Sequence, residues 1–214
     1  MSQKLVQQAK VKTNLTKGSI CSINVQAVTF ENLWNNYVKG QPYTDSKTGK
    51  VPEGSENQCA IRLSATLHNV GVEMKSFSEK TVKPEPGKKS IGRILLNGKA
   101  TSTRADEMAS WLRQQPFCGL PKEPENITGK DWESKVKDRT GIIFFGGYWA
   151  RDGEATTNVS GGHIDLWNGS RLTNNGALGT IETFMRFRMN INAPWFALYS
   201  DLRNSKTILF FEIK

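Results

Sequence analysis

Ser55-Glu56-Asn57-Gln58-Cys59-Ala60-Ile61-Arg62-Leu63-Ser64 reads as the start of a helix with a cysteine in its first turn. Ser55 suits an N-cap, and Gln58, three residues on, suits the reciprocal capping partner. Cys59, Leu63, Leu67 and Val70 recur at helical spacing, and Gly71 is a stop signal. A thiol in that turn lies near unpaired backbone N–H groups and the positive end of the helix dipole, and both favour the thiolate. Taken alone, such a cysteine is more often a small core residue.

A second stretch, Ser160-Gly161-Gly162-His163-Ile164-Asp165-Leu166-Trp167-Asn168-Gly169, alters that reading. A histidine opens an alternating strand directly after two glycines. Cysteine first and histidine much later, joined only by folding, is a sequence form of a thiol hydrolase. Alternation puts His163, Asp165 and Trp167 on one face of the strand. If that face meets the Cys59 helix, the imidazole reaches the sulfur. A third group must orient the ring. Asn174, past the Asn168-Gly169 turn, stands where a hairpin partner returns, and its amide oxygen can accept the imidazole N–H. Asp165 is the other candidate, charged but two residues along the same strand. Arg62 is either a solvated surface charge or a contact for an acidic substrate. Gly161 and Gly162 permit close approach of backbone and substrate, and Gly162 and Trp167 are candidate substrate contacts. His68 lies more than two helical turns from Cys59 and is read as an ordinary helix residue.

The remaining chain supplies a scaffold. At 214 residues, 37% hydrophobic with six Trp and ten Phe, it suits one domain with a real core. Residues 1–27 read as a basic, partly mobile extension with a short strand near 20–28. Phe30 to Tyr37 reads as an amphipathic helix, 75–99 as a long polar loop, and Thr103 as the cap of a helix with Asp106 in its first turn, Trp111 flanking its buried stripe and Pro116 ending it. Thr128 to Lys137 reads as a short helix. Gly141 to Phe145 and Ile208 to Ile213 are apolar strands, the first central, and Phe184, Phe187, Trp195 and Phe196 are expected core. Helices first and strands late suit α+β with a mostly antiparallel sheet better than a doubly wound one.

Charge and cysteine content narrow the partners. A net charge of +9 admits nucleic acid, an anionic membrane or an acidic polymer. The lysines are scattered and no nucleic-acid motif appears, so nucleic acid is disfavoured. No apolar run approaches a membrane span, and no signal segment is visible. Three cysteines and two histidines, none at ligand spacing, predict no structural metal and no cofactor. A Cys21–Cys118 pair is the disulfide that leaves Cys59 free.

Asn57 to Ser64 together with Gly162 to Thr173 resembles the fourth family of type VI secretion amidase effectors, over residues 28–214. The resemblance implies a papain-like, NlpC/P60-type domain and a cysteine amidase cutting the D-glutamyl–meso-diaminopimelate bond of peptidoglycan stem peptides. It also implies cytoplasmic synthesis without a signal peptide, injection by the type VI machinery into a rival's periplasm, and a cognate periplasmic immunity protein. By its pattern Cys59 is the nucleophile and His163 the base. The third member is an aspartate in the family, and Asn174 occupies that position here. The rival readings are a thiol hydrolase or acyltransferase acting on a protein, and a basic binding module without chemistry.

Overall fold

In the computed structural model the described residues are 6–12, 20–149, 161–173 and 202–214. The helices come first: α1 (Phe30–Asn35), α2 (Cys59–Asn69), α3 (Ala105–Leu112) and the single turn α4 (Trp132–Lys135). Strands β6 (Gly141–Trp149), β7 (Gly161–Trp167) and β8 (Thr207–Glu212) join the two-residue β5 (Glu125–Asn126) in an antiparallel sheet of order β5-β8-β6-β7. Two hairpins stand apart, β1 (Val6–Lys12) with β2 (Ile20–Gln26), and β3 (Arg93–Leu96) with β4 (Lys99–Ser102). The architecture is α+β, as the element order predicts.

The continuous apolar runs of β6 and β8 have a simple cause: both faces of the sheet are covered. Ile142 and Phe144 of β6, Leu209 and Phe211 of β8, and Ile164 and Leu166 of β7 pack against Cys59, Ala60, Leu63 and Leu67 of α2 and Met108, Trp111 and Leu112 of α3. The alternate residues Ile143, Phe145, Ile208, Phe210 and Trp167 form a second core with Ile127, Trp132 and Val136. Leu63 and Leu67 are fully buried, each contributing roughly 1.5–3 kcal/mol by removal from water. The stripe on α2 therefore fixes the height of Cys59 over the sheet.

Several local expectations are corrected. Helix α2 begins at Cys59 with Gln58 at its N-cap, not Ser55. The Gln58 side chain is turned inward instead, accepting from Tyr43 N at 2.9 Å and donating to Tyr43 O at 2.7 Å. Helix α3 starts after Arg104, which has extended backbone and whose carbonyl accepts the first helical bond, from Met108 N at 3.1 Å, so Arg104 and not Thr103 is the N-cap. Trp111 is buried within its stripe, with Nε1 donating to Ser76 Oγ at 2.9 Å. The helix read over 128–137 shrinks to α4. The loop read over 75–99 contains β3 and runs into β4, turned by Asn97 and Gly98 at φ +52° and +76°. An Asn-Gly pair favours that turn. Its flank Arg93-Ile94-Leu95-Leu96 carries three consecutive apolar residues and no polar–apolar alternation to mark a strand, and Leu95 is 61% exposed.

The strand near 20–28 is present as β2, and its partner β1 was not foreseen. Cys118 is a free thiol, not the partner of Cys21. The Cys118 carbonyl accepts from Val28 N at 2.8 Å, whereas Cys21 lies back along β2, opposite Val11. Phe184, Phe187, Trp195 and Phe196 lie outside the described residues. Among the described residues no helix is long and apolar enough to cross a membrane.

Candidate active site

Cys59 is the first residue of α2, and the side chain of the N-cap residue Gln58 makes no capping hydrogen bond to it. The first hydrogen bond of the helix runs from Arg62 N to Gln58 O at 2.8 Å. The amides of Cys59, Ala60 and Ile61 therefore have no partner within the helix, and they form the positive end of the helix dipole that carries the thiol. His163 is brought to this end by β7, and both residues are buried, at 3% and 1% exposure.

The two side chains meet by a route the alternation argument did not foresee. The helices cover the Ile164 and Leu166 face of β7, not the face of His163, Asp165 and Trp167. But β7 is the last strand of the described sheet, and Cys59 meets its outer edge. There the backbone of Ile164 hydrogen-bonds the sulfur, and Leu166 N donates to Asp165 Oδ1 at 2.8 Å. Alternate amides of an edge strand point the same way, so one edge binds both sulfur and carboxylate.

Electrostatics follow from these contacts. Burial pushes the Cys59 thiol up, but the neighbouring His163, the Arg62 charge and the Ile164 amide together outweigh it, leaving the thiol below its ordinary value. Burial likewise opposes the imidazolium of His163, and Asp165 first and Cys59 second reverse that, raising it to about 9. The pair is thus biased toward thiolate and imidazolium. His163 Nε2 lies 3.6 Å from Asp165 Oδ2, longer than a hydrogen bond.

The other expected residues divide. Asn174 lies outside the described residues. Arg62 is fully buried, contrary to a solvated charge: one terminal nitrogen donates to Gly40 O at 3.1 Å, and Nε and the other terminal nitrogen have no partner among the described residues. Trp167 is buried in the second core, with Nε1 donating to Val136 O at 2.9 Å and its ring packed edge-on against Trp132. Gly162 is also buried; a Cβ there would lie 2.7 Å from Asp106 Oδ2 and 3.3 Å from Phe145 O, so its smallness serves internal packing. His68 bonds Ala100 O at 3.0 Å, tying α2 to β4. Arg171 lies over the Trp34 ring at 5.3 Å.

Two residues beside the site were missed. Thr173 Oγ1 donates to Asp165 Oδ1 at 2.5 Å. Tyr37, read only as helix-face packing, follows α1, and its hydroxyl is held neutral by burial first and by Asp165 next. No short motif marks either; only the fold puts them behind Asp165.

An α+β protein with a helix-borne thiol, a strand-borne imidazole and a carboxylate behind it belongs, as a class, with proteins carrying a buried thiol–imidazole pair. The sequence model of the family described as "Tae4: Type VI secretion system (T6SS), amidase effector protein 4" matches residues 55–211, spanning both motif blocks. The chain belongs to this family of amidase effectors, as its motif blocks predict. Among solved structures, it is similar to the type VI effector Tae4 from Enterobacter cloacae, at 17% identity over 87% of this chain and 96% of that one, with a TM-score of 0.48. It is also similar to Tae4 from Salmonella typhimurium, in a structure with the immunity Tai4 from Enterobacter cloacae, at 20% identity over 73% of this chain and 74% of that one, with a TM-score of 0.41. No curated protein matches.

Proposed function

We propose that the chain is a peptidoglycan amidase toxin that hydrolyses the D-glutamyl–meso-diaminopimelate bond of stem peptides through Cys59 and His163. The observation that carries the reading is the placement of Cys59 at the start of α2 beside His163 on β7. Family membership supports an amidase. The thiolate attacks the amide carbonyl, and the first-turn amides of α2 stabilise the oxyanion. His163 gives its proton to the leaving amine. It then takes one from the water that opens the thioester, and the sulfur leaves as thiolate. Asp165 orients the ring in place of Asn174. Because both reacting groups are buried, the glycan-linked peptide must displace their cover before attack.

On the same reading, residues 28–214 form a papain-like, NlpC/P60-type domain behind an extension at 1–27. The type VI machinery delivers the protein to a rival's periplasm, and a dedicated immunity protein covers the site in the producer. The excess of positive charge suits a wall rich in carboxylates. Mass spectrometry of sacculi digested by wild type and by Cys59→Ala tests the proposal. New D-glutamyl and diaminopimelyl termini are expected from wild type alone. Cleavage at another bond removes the bond assignment, and undiminished cleavage by Cys59→Ala removes the mechanism.

A further inference from the structure

Asp165 Oδ1 is held twice, by Thr173 Oγ1 at 2.5 Å and by Leu166 N at 2.8 Å. Its other oxygen, Oδ2, is sealed from solvent, has no hydrogen bond among the described residues, and faces His163 Nε2. Rotation about the carboxylate axis is soft and two-fold, so anchoring one oxygen decides where the other points. The anchor comes from across a turn. Asn168 Oδ1 accepts from Ser170 N at 3.1 Å and Arg171 N at 2.9 Å, Asn168 N donates to Arg171 O at 3.1 Å, and Leu172 then bridges back to Trp167. That closure delivers Thr173, 3% exposed, to Asp165.

We propose that Thr173 is a positioning residue for the reaction: its hydroxyl locks the Asp165 carboxylate with Oδ2 on the His163 ring. The inference rests on the proposed roles of Cys59, His163 and Asp165. It gives a chain with asparagine at position 174 a way to orient its imidazole from a carboxylate on the same strand. Among the described residues, the other titratable or charged groups around this cluster are Cys59 and Arg62 from α2, Tyr37 beyond α1, and Asp106 of α3 beside Gly162. Of these, Tyr37 also acts on Asp165 and Thr173, but its hydroxyl meets no partner at hydrogen-bond geometry among the described residues, so the bond to Oδ1 across the turn is that of Thr173.

The test is the pH profile of kcat and KM on purified muropeptides for the full chain, its Thr173→Val and Thr173→Ser variants, and Cys59→Ala. Thr173→Val is expected to lower kcat about tenfold with KM within about twofold, because geometry at the base and not binding is lost. Its alkaline limb falls to lower pH as Asp165 ceases to support the imidazolium, and Thr173→Ser restores both. A Thr173→Val profile that superimposes on wild type, or a limb that moves to higher pH, overturns the inference. Should the valine variant fail to fold, the Thr173 hydroxyl proton of the wild-type chain decides by NMR. A shift that follows the His163 titration supports the lock, and one with no inflection there overturns it. An active Cys59→Ala variant instead overturns the underlying reading.

Discussion

Asp165 Oδ2 and His163 Nε2 lie 3.6 Å apart, two residues along one strand and both closed to solvent. Burial favours a neutral ring, and Asp165 and Cys59 reverse that preference, so His163 keeps its proton to about pH 9. The thiol ionises below its ordinary value. The active thiolate–imidazolium form is therefore bounded on the acid side by the pair's first ionisation and on the alkaline side near 9. In wild type, kcat/KM should rise with the former and fall near the latter. Asp165→Asn should lower kcat/KM by about a hundredfold and draw the alkaline limb to lower pH. A variant with an unmoved limb removes Asp165 from the site. The same raised value adds stability in full below pH 6.5, lost as pH rises through 9, so melting of Cys59→Ala should show less of this loss.

Asn174 gives the complementary experiment. If Asp165 orients the ring, Asn174→Ala should retain kcat within about threefold. A loss as large as that of Asp165→Asn would return the role to the hairpin position that the family pattern marks. Steady-state turnover on muropeptides, run on both variants together, separates the two.

The site was legible in the sequence where local physics determines it. A helix with a cysteine at its start follows from the spacing of Cys59, Leu63 and Leu67, and a strand at His163 follows from its alternation, although that strand is buried on both faces. What was not legible depended on which face of β7 the helices cover, a choice made by the packing of Ile164 and Leu166. That choice turned Trp167 into core and brought Cys59 to the strand edge. Arg62 was misread because a lone charge in a helix is ordinarily solvated, and nothing local says that residues around Gly40 will fold over it. The Ser55 cap failed for a similar reason: the Gln58 side chain is taken by Tyr43, and the helix begins only after it.

Arg62 places a buried positive charge near the thiol, with Nε and one terminal nitrogen lacking partners among the described residues. Arg62→Met removes the charge and keeps much of the volume. The Cys59 thiol should then titrate higher, because one of the influences holding it down is lost. Stability should change little or improve by about 1 kcal/mol, since a buried charge with incomplete partners is costly to keep. The pH dependence of alkylation by a small reagent reads the thiol, and thermal melting reads the fold. An unshifted thiol would leave Arg62 with only its bond to Gly40 O.

Gly162 packs where a side chain has no room. A Cβ there lies 2.7 Å from Asp106 Oδ2 and 3.3 Å from both Phe144 Cε2 and Phe145 O. The carboxylate sits on a short stem, and the carbonyl belongs to the paired strand β6, so neither yields cheaply. Gly162→Ala should destabilise by about 1–3 kcal/mol and disturb His163 next to it, lowering kcat more than it raises KM. Melting temperature and kinetics within wild-type limits would show that α3 can withdraw from the sheet at little cost.

Glu107 binds the segment before β3 to α3. Its carboxylate is 1% exposed and accepts from Glu85 N at 3.1 Å, Gly92 N at 2.5 Å and an Arg104 terminal nitrogen at 2.8 Å. Glu107→Ala leaves two amides and a half-buried guanidinium without that acceptor, a loss of about 3–5 kcal/mol. Glu107→Gln keeps one acceptor oxygen but turns an NH2 toward donors, so it should recover only part of that. Urea unfolding orders the three proteins as wild type, glutamine, alanine. Alanine as stable as wild type would mean that water satisfies these donors, and that the carboxylate does not hold the segment to the helix.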